Sequence, residues 1–275
     1  MQAQIHQIYY NEATRQQVMP GFIPLDNSRN ERPDWFEFWV ILNFLRNHPL
    51  RDDTWYGFVS PRFQDKTGYS APQVLHTLQT APQDTEVFLF SPGWDQICYF
   101  LSPWEQGEAW HPGIQAMSQQ LLDRCGIQAQ LANLVTDSSC TVFSNYLVAN
   151  KRFWTDWLQL AEPFFTFMES AEGQATAMAQ DTSYGVAANR YPMKTFIQER
   201  FATLLLATGQ YRVVFTDASQ TAPIFGRLFG QQPETRRALQ ACDLLKRKFR
   251  LTGDLSYLEM YRKIRADIPY QPPMG

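Results

Sequence analysis

Short apolar runs alternate with longer amphipathic ones along this chain, and that alternation leaves few folds open. Ile5–Tyr10, Trp55–Ser60, Glu86–Phe90, Thr141–Ala149 and Tyr211–Phe215 each read as a strand, rich in aromatic or β-branched residues. Between the first two, Trp35, Phe38, Trp39, Leu42 and Leu45 fall on one helical face. That spacing predicts a helix over Asp34–Asn47, capped by Asp34. Further helices are expected at Ala71–Thr80, Pro112–Cys125, Lys151–Ser170, Lys194–Thr208, Pro233–Leu251 and Asp254–Ala266. Strands separated by helices imply an α/β fold, a mostly parallel sheet flanked by helices on both faces. Three stretches lack such periodicity. Asn11–Pro33, interrupted by Pro20, Gly21 and Pro24, is expected to be irregular, as are the aromatic loop Trp94–His111 and the mobile-looking Ala171–Arg190. With no repeat and no linker, the expectation is one domain: residues 1–232 as the α/β core and 233–275 as a helical extension.

Composition narrows the function. At 275 residues and 44% hydrophobic the chain buries a substantial core, and a net charge of −3 gives nucleic acid no electrostatic footprint. Cys98, Cys125, Cys140 and Cys242 are isolated, without zinc or redox spacing, which suits a reducing cytoplasm. The N-terminus lacks signal-peptide character and no apolar run is long enough to span a bilayer, so a cytoplasmic location is expected. Charge is uneven: between residues 236 and 265 nine cations face three carboxylates. That excess suggests either a solvated helix face or peripheral docking on an anionic inner membrane.

The chain has no GxGxxG, GxxxxGK[ST], GxSxG or HExxH, so the common signatures give no direction. In open α/β sheets ligands sit beyond the carboxyl ends of the strands, and candidates are sought there. Arg62 follows the second strand and could clamp a phosphate; the alternative is a surface arginine. Trp94, Asp95 and Gln96 follow the third, where Asp95 could bind a ribose hydroxyl, a sugar hydroxyl or a metal, or serve as a turn aspartate. Glu105, Glu108 and His111 lie near Trp104 and Trp110, a set suited to carbohydrate contact, less to a metal or acid/base pair, and equally to a self-packed loop. Asn145 interrupts an apolar strand, a costly position unless it faces a ligand. Glu199 falls in the first turn of an apolar helix, where the dipole favours an ionised carboxylate. It is either a general base or half of a salt bridge with Arg200.

The segments SNYLVANKRFWTDWL (from Ser144) and FIQERFATLLL (from Phe196) resemble paired segments of GT-A-type glycosyltransferases from bacterial capsule and O-antigen loci. WYGFVSPRF resembles their second sheet segment, and the stretch after the first strand their nucleotide-binding region. The resemblance implies a single GT-A-like (Rossmann-like) domain and a transferase moving a sugar from a nucleotide donor to a polysaccharide or lipid-linked acceptor. It matches Glu199 to the acidic residue in the helix below the acceptor site and Asn145 to a residue lining the sugar pocket. Joined to the strand-end reading, Glu199 and Asp95 are expected to be catalytic, and Tyr10, Arg62, Trp94, Gln96 and Arg200 to stand beside the donor. Glu105, Glu108, Trp110, His111 and Asn145 would stand beside the acceptor. One departure stands out: the chain has no Asp-x-Asp. Either Asp95 holds Mg²⁺ or Mn²⁺ alone, or arginines neutralise the diphosphate without metal. A sugar- or nucleotide-binding protein without catalysis and a structural partner in a biosynthetic complex are the alternatives.

Overall fold

The computed structural model describes residues 1–184, 186–216, 228–229 and 232–271, the side chains of 183–189 excepted. The chain opens with β1 (Gln2–Tyr9), a short α1 (Glu12–Arg15) and β2 (Ile23–Asp26), which pairs in parallel with β1. The expected irregular stretch therefore holds two elements. Asn11 and Thr14 form a reciprocal capping box that starts α1, and Pro24 is tolerated because β2 is an edge strand. After a single 3₁₀ turn, α2 (Phe36–Asn47) leads to β3 (Thr54–Val59). Asp34 does not cap α2; its carboxylate accepts from Arg32 and from the buried ammonium of Lys194 at 2.6 Å. Next come α3 (Phe63–Thr67), α4 (Ala71–Thr80) and β4 (Val87–Leu89).

The aromatic stretch that follows is helical rather than a loop, as α5 (Trp94–Tyr99) and α6 (Pro103–Glu108), and α7 (Ile114–Arg124) follows it. The fourth expected strand shrinks to β5 (Leu147–Ala149), because Ser144 and Asn145 adopt left-handed backbone that no ladder accepts. Then come α8 (Lys151–Glu169), α9 (Ala171–Gln174), a hairpin of β6 (Asp181–Tyr184) and β7 (Val186–Pro192), α10 (Met193–Gln198) and α11 (Phe201–Thr208). The stretch expected to be mobile thus contains a helix and most of a hairpin. β8 (Val213–Phe215) and the helices α12 (Pro233–Thr252) and α13 (Leu255–Ala266) complete the described chain.

The main sheet runs β2-β1-β3-β5-β4-β8, parallel throughout except for β5, which is antiparallel to both neighbours. The strand period of two divides its side chains between two cores. Tyr56, Phe58, Leu89, Leu147 and Ala149 pack with α2, α8 and α11 on one face. Trp55, Val59, Phe88, Phe90 and Val148 pack with α4 on the other. Each fully buried aromatic here contributes about 2–3 kcal/mol. Gly57 is required where β3 meets β5, since a Cβ there would stand 2.8 Å from Val148 Cγ2.

The helices α12 and α13 form a third cluster with α5. Much of their positive charge points inward. Lys246, fully buried, donates to Ile97 O and Phe100 O, carbonyls left open at the end of α5. Arg250 and Arg247 pair with the buried Asp137, Arg247 also with Asp243, and Arg265 with Glu105. Four of the nine basic residues therefore fasten this extension to the core and are not surface charge. Among the described residues no helix is long and apolar enough to cross a membrane.

Candidate functional site

The antiparallel β5 decides what meets at one edge of the sheet. The chain leaves β1 for β2 on one flank and returns through α2 to β3 on the other, so the connections diverge between β1 and β3. Beyond the carboxyl ends of two such strands an open α/β sheet leaves a crevice. Because β5 runs the other way, its amino end reaches the same edge and delivers Ser144, Asn145 and Tyr146 beside Tyr10 from β1 and Ser60 from β3.

The polar groups at this edge form one cluster. Tyr10 Oη donates to Glu37 Oε1 at 3.1 Å, and Ser60 Oγ stands 2.5 Å from Tyr146 Oη. Lys66 of α3 donates to Ser144 Oγ at 3.1 Å, its ammonium 5.6 Å from the centre of the Tyr146 ring. Glu199 comes from the break between α10 and α11. Burial raises the carboxyl groups of both Glu37 and Glu199 above the ordinary range; the Lys66 cation opposes this in each case, and Glu37 pushes Glu199 up further. Tyr146 is raised by burial too, with Glu37 and Glu199 adding to the rise and Arg62 opposing it. Both glutamates are only half-buried, so they remain within reach of a ligand despite the protein around them. Two carboxyls close enough for one to raise the other, beside one lysine, form an arrangement suited to taking up or giving off a proton.

Backbone strain marks the same place. Among the described residues four non-glycine residues have positive φ, and three of them flank this crevice: Phe36 (48°), next to Glu37, and Ser144 (59°) and Asn145 (54°), next to Tyr146. Such conformations cost of order 1–3 kcal/mol each and collect at functional sites.

The sequence places Glu199 near the start of one long helix, where the dipole would keep it ionised. Instead the helix breaks at Glu199–Arg200, and Glu199 caps the carboxyl end of α10. Arg200 causes the break. Its guanidinium takes Phe196 O at 2.5 Å, so its own N–H turns to Ile197 O at 3.1 Å. Arg200 also donates to Pro103 O and Gln106 Oε1, and is buried deeply enough that its pKa falls to about 10. Gly107 makes room for it: a Cβ there would lie 2.6 Å from Arg200 Nη2. Arg200 ties α6 to α10 through all three guanidinium nitrogens, and its charge opposes the rise of Glu199.

The other sequence candidates divide. Tyr10, Arg62, Asn145 and Glu199 come together at the crevice, with Arg62 exposed at its rim. Asp95 lies at the same sheet edge but inside α5, 1% exposed. Its Oδ1 accepts from Gln96 N–H, its Oδ2 is unpartnered, and burial pushes it up to about 6. Gln96 accepts from the Gln106 amide, and Trp94 lies beneath the Arg236 guanidinium at 5.1 Å. The supposed sugar loop is structural. Glu105 accepts from Leu101 N–H and Arg265, and Glu108 from the Gly113 and Gln115 N–H groups that open α7. His111 stacks on Phe196 at 3.6 Å, and Trp110 packs against the third core. Three site residues, Glu37, Ser60 and Lys66, carry no mark in the sequence. Glu37 looks like an ordinary first-turn acid, and only the topology shows that it faces Tyr10.

A divalent ion does not fit Asp95: protein surrounds it, whereas Mg²⁺ retains several waters. Among the described residues no group of three or more His, Cys, Asp or Glu could hold a metal. No protein-family model, curated protein or solved structure matches the chain.

Proposed function

We propose that the crevice between β1 and β3 transfers a sugar from a nucleotide donor to a hydroxyl of a glycan or lipid-linked acceptor. The carrying observation is the convergence at one sheet edge of two cations, Arg62 and Lys66, with two carboxyls of raised pKa, Glu37 and Glu199. The resemblance of SNYLVANKRFWTDWL and FIQERFATLLL to GT-A-type segments supports the same reading, because Asn145 and Glu199 are where those segments meet the crevice.

In this reading the diphosphate lies against Arg62 and Lys66, which balance the charge that develops as the sugar–oxygen bond breaks. Glu199 takes the proton of the acceptor hydroxyl, whose oxygen attacks the anomeric carbon. Burial and the charge of Glu37, which accepts from Tyr10, make Glu199 more basic for that task. Incubation with UDP-glucose, UDP-N-acetylglucosamine, GDP-mannose and dTDP-rhamnose tests the proposal, with and without Mn²⁺. Release of free nucleoside diphosphate from one donor is the expected result; an intact panel under both conditions removes the transferase.

A further inference from the structure

The two glutamates of the crevice stand on separate segments, and a buried cation joins those segments. Lys194, in the first turn of α10, is 3% exposed; its ammonium stands 2.6 Å from Asp34 Oδ2 and 4.0 Å from the centre of the Trp35 ring. Asp34 lies three residues before Glu37, and Lys194 five residues before Glu199, about 8 Å along a helix. A second contact follows the same route. The Phe36 ring packs edge-on to Tyr191, just ahead of α10, at 5.4 Å.

Stability alone does not require this lysine. Arg32 already pairs with both carboxylate oxygens of Asp34 at 3.2 Å, and the Asp34 side chain is 42% exposed, so its charge is not stranded without a second cation. Burying an ammonium is costly, and one ion pair seldom offsets it in full. Phe36, between Asp34 and Glu37, is held at a φ of 48°, a conformation that persists only where the structure on both sides fixes it. The Lys194–Asp34 bond fixes one side, and the buried face of α2 the other.

We propose that Lys194 is a positioning residue of the crevice: by holding Asp34 it fixes how closely Glu37 approaches Glu199. Its part in sugar transfer rests on the transferase reading; the approach of the two carboxyls does not. Lys194 acts through position and not through charge. Lys66, Arg200 and Glu37 bear on Glu199, and Lys66 and Tyr10 on Glu37, with Tyr146 beside both. The Lys194 charge bears instead on Asp34 and Glu169. Without the bond, α10 can move off the start of α2, and Glu199 loses the neighbour that adds to its rise.

Carboxyl-carbon NMR titration of the full chain, isotope-labelled at glutamate, tests this without any donor. Glu37→Gln should lower the Glu199 midpoint in the wild type, and in a Lys194→Met background that effect should shrink to less than about half. Lys194→Met leaves Asp34 to Arg32 and keeps an apolar side chain against Trp35, so the variant should fold. If it does not, Asp34→Asn weakens the same bond from a partly exposed position and should shrink the effect in the same direction. No effect of Glu37→Gln in the wild type, or one of full size in the folded variant, overturns the proposal. A lowered melting temperature beside a full-sized effect makes Lys194 a structural residue only. The donor panel separates the two readings. An intact panel with a shrunken effect removes the transferase and keeps the positioning; donor turnover with a full-sized effect removes only the positioning.

Discussion

The crevice and the C-terminal dock hold buried charge in opposite ways. In the dock, Asp137 receives Arg250 and Arg247, Asp243 receives Ser138 and Arg247, and Lys246 fills two helix-end carbonyls. The Asp137 carboxyl consequently falls below its usual range: burial would raise it, but the hydrogen bonds of Ser139 and Arg250 outweigh burial. In the crevice, among the described residues, Glu37 has one phenolic donor and Glu199 only nearby charges, and burial raises both. Paired charge locks elements together. Charge kept raised and reachable is available for chemistry, at a cost in stability.

Substitution should separate the two regions. Glu199→Gln removes the base, so turnover of the active donor should fall about 10²- to 10⁴-fold while the melting temperature stays level or rises. A loss of stability with activity intact would make Glu199 structural. Asp137→Ala should do the reverse. It strands Arg250, leaves Arg247 to Asp243 and Ser138, and should lower stability by about 3–5 kcal/mol in urea unfolding, with nucleotide affinity unchanged at permissive temperature. A loss below about 1 kcal/mol would deny that the dock is a buried network.

Two other buried groups sharpen the contrast through pH. Asp95 is raised from 3.8 to about 6, so between those values the folded state binds more protons than the unfolded and stability falls as pH rises, by about 3 kcal/mol in all. His6, buried between Phe44 and Phe58, is lowered from 6.5 to about 4. There the unfolded state binds more protons, and stability rises with pH by a similar about 3 kcal/mol. The two should nearly cancel in the wild type between pH 4 and 6, whereas Asp95→Asn should leave a rising curve. Unfolding curves of both proteins across that window check the sign; a falling curve in the variant contradicts it. The smallest effect concerns strain. Phe36→Gly relieves a φ of 48° and should stabilise the chain by about 1 kcal/mol while lowering turnover, because Glu37 loses its fixed approach. Destabilisation would show that the Phe36 ring, which packs edge-on to Tyr191, matters more than its backbone.

The sheet and its flanking helices were legible because strand and helix periods differ, and because each β-run ends in a breaker. The position of Arg62 followed from that alone. What the sequence hid is non-local. The reversal of β5 depends on pairing with β3 and β4, and it carries Asn145 to the crevice edge. Beside the break at Glu199, Arg200 is also held by Pro103 and Gln106, nearly a hundred residues away, contacts that no local pattern reveals. The tryptophan-rich stretch misled for a related reason: Glu105, Glu108 and His111 look free until Arg265, α7 and Phe196 pack against them.

Calorimetric titration of UDP, GDP, ADP, CDP and dTDP in the presence of EDTA tests the crevice most directly, using wild type, Arg62→Met and Lys66→Met. One nucleotide should bind the wild type saturably, and each substitution should weaken it about tenfold or more, as expected for a lost charged hydrogen bond. Absence of binding by all five, or affinity untouched by both substitutions, would contradict a diphosphate seat between β1 and β3.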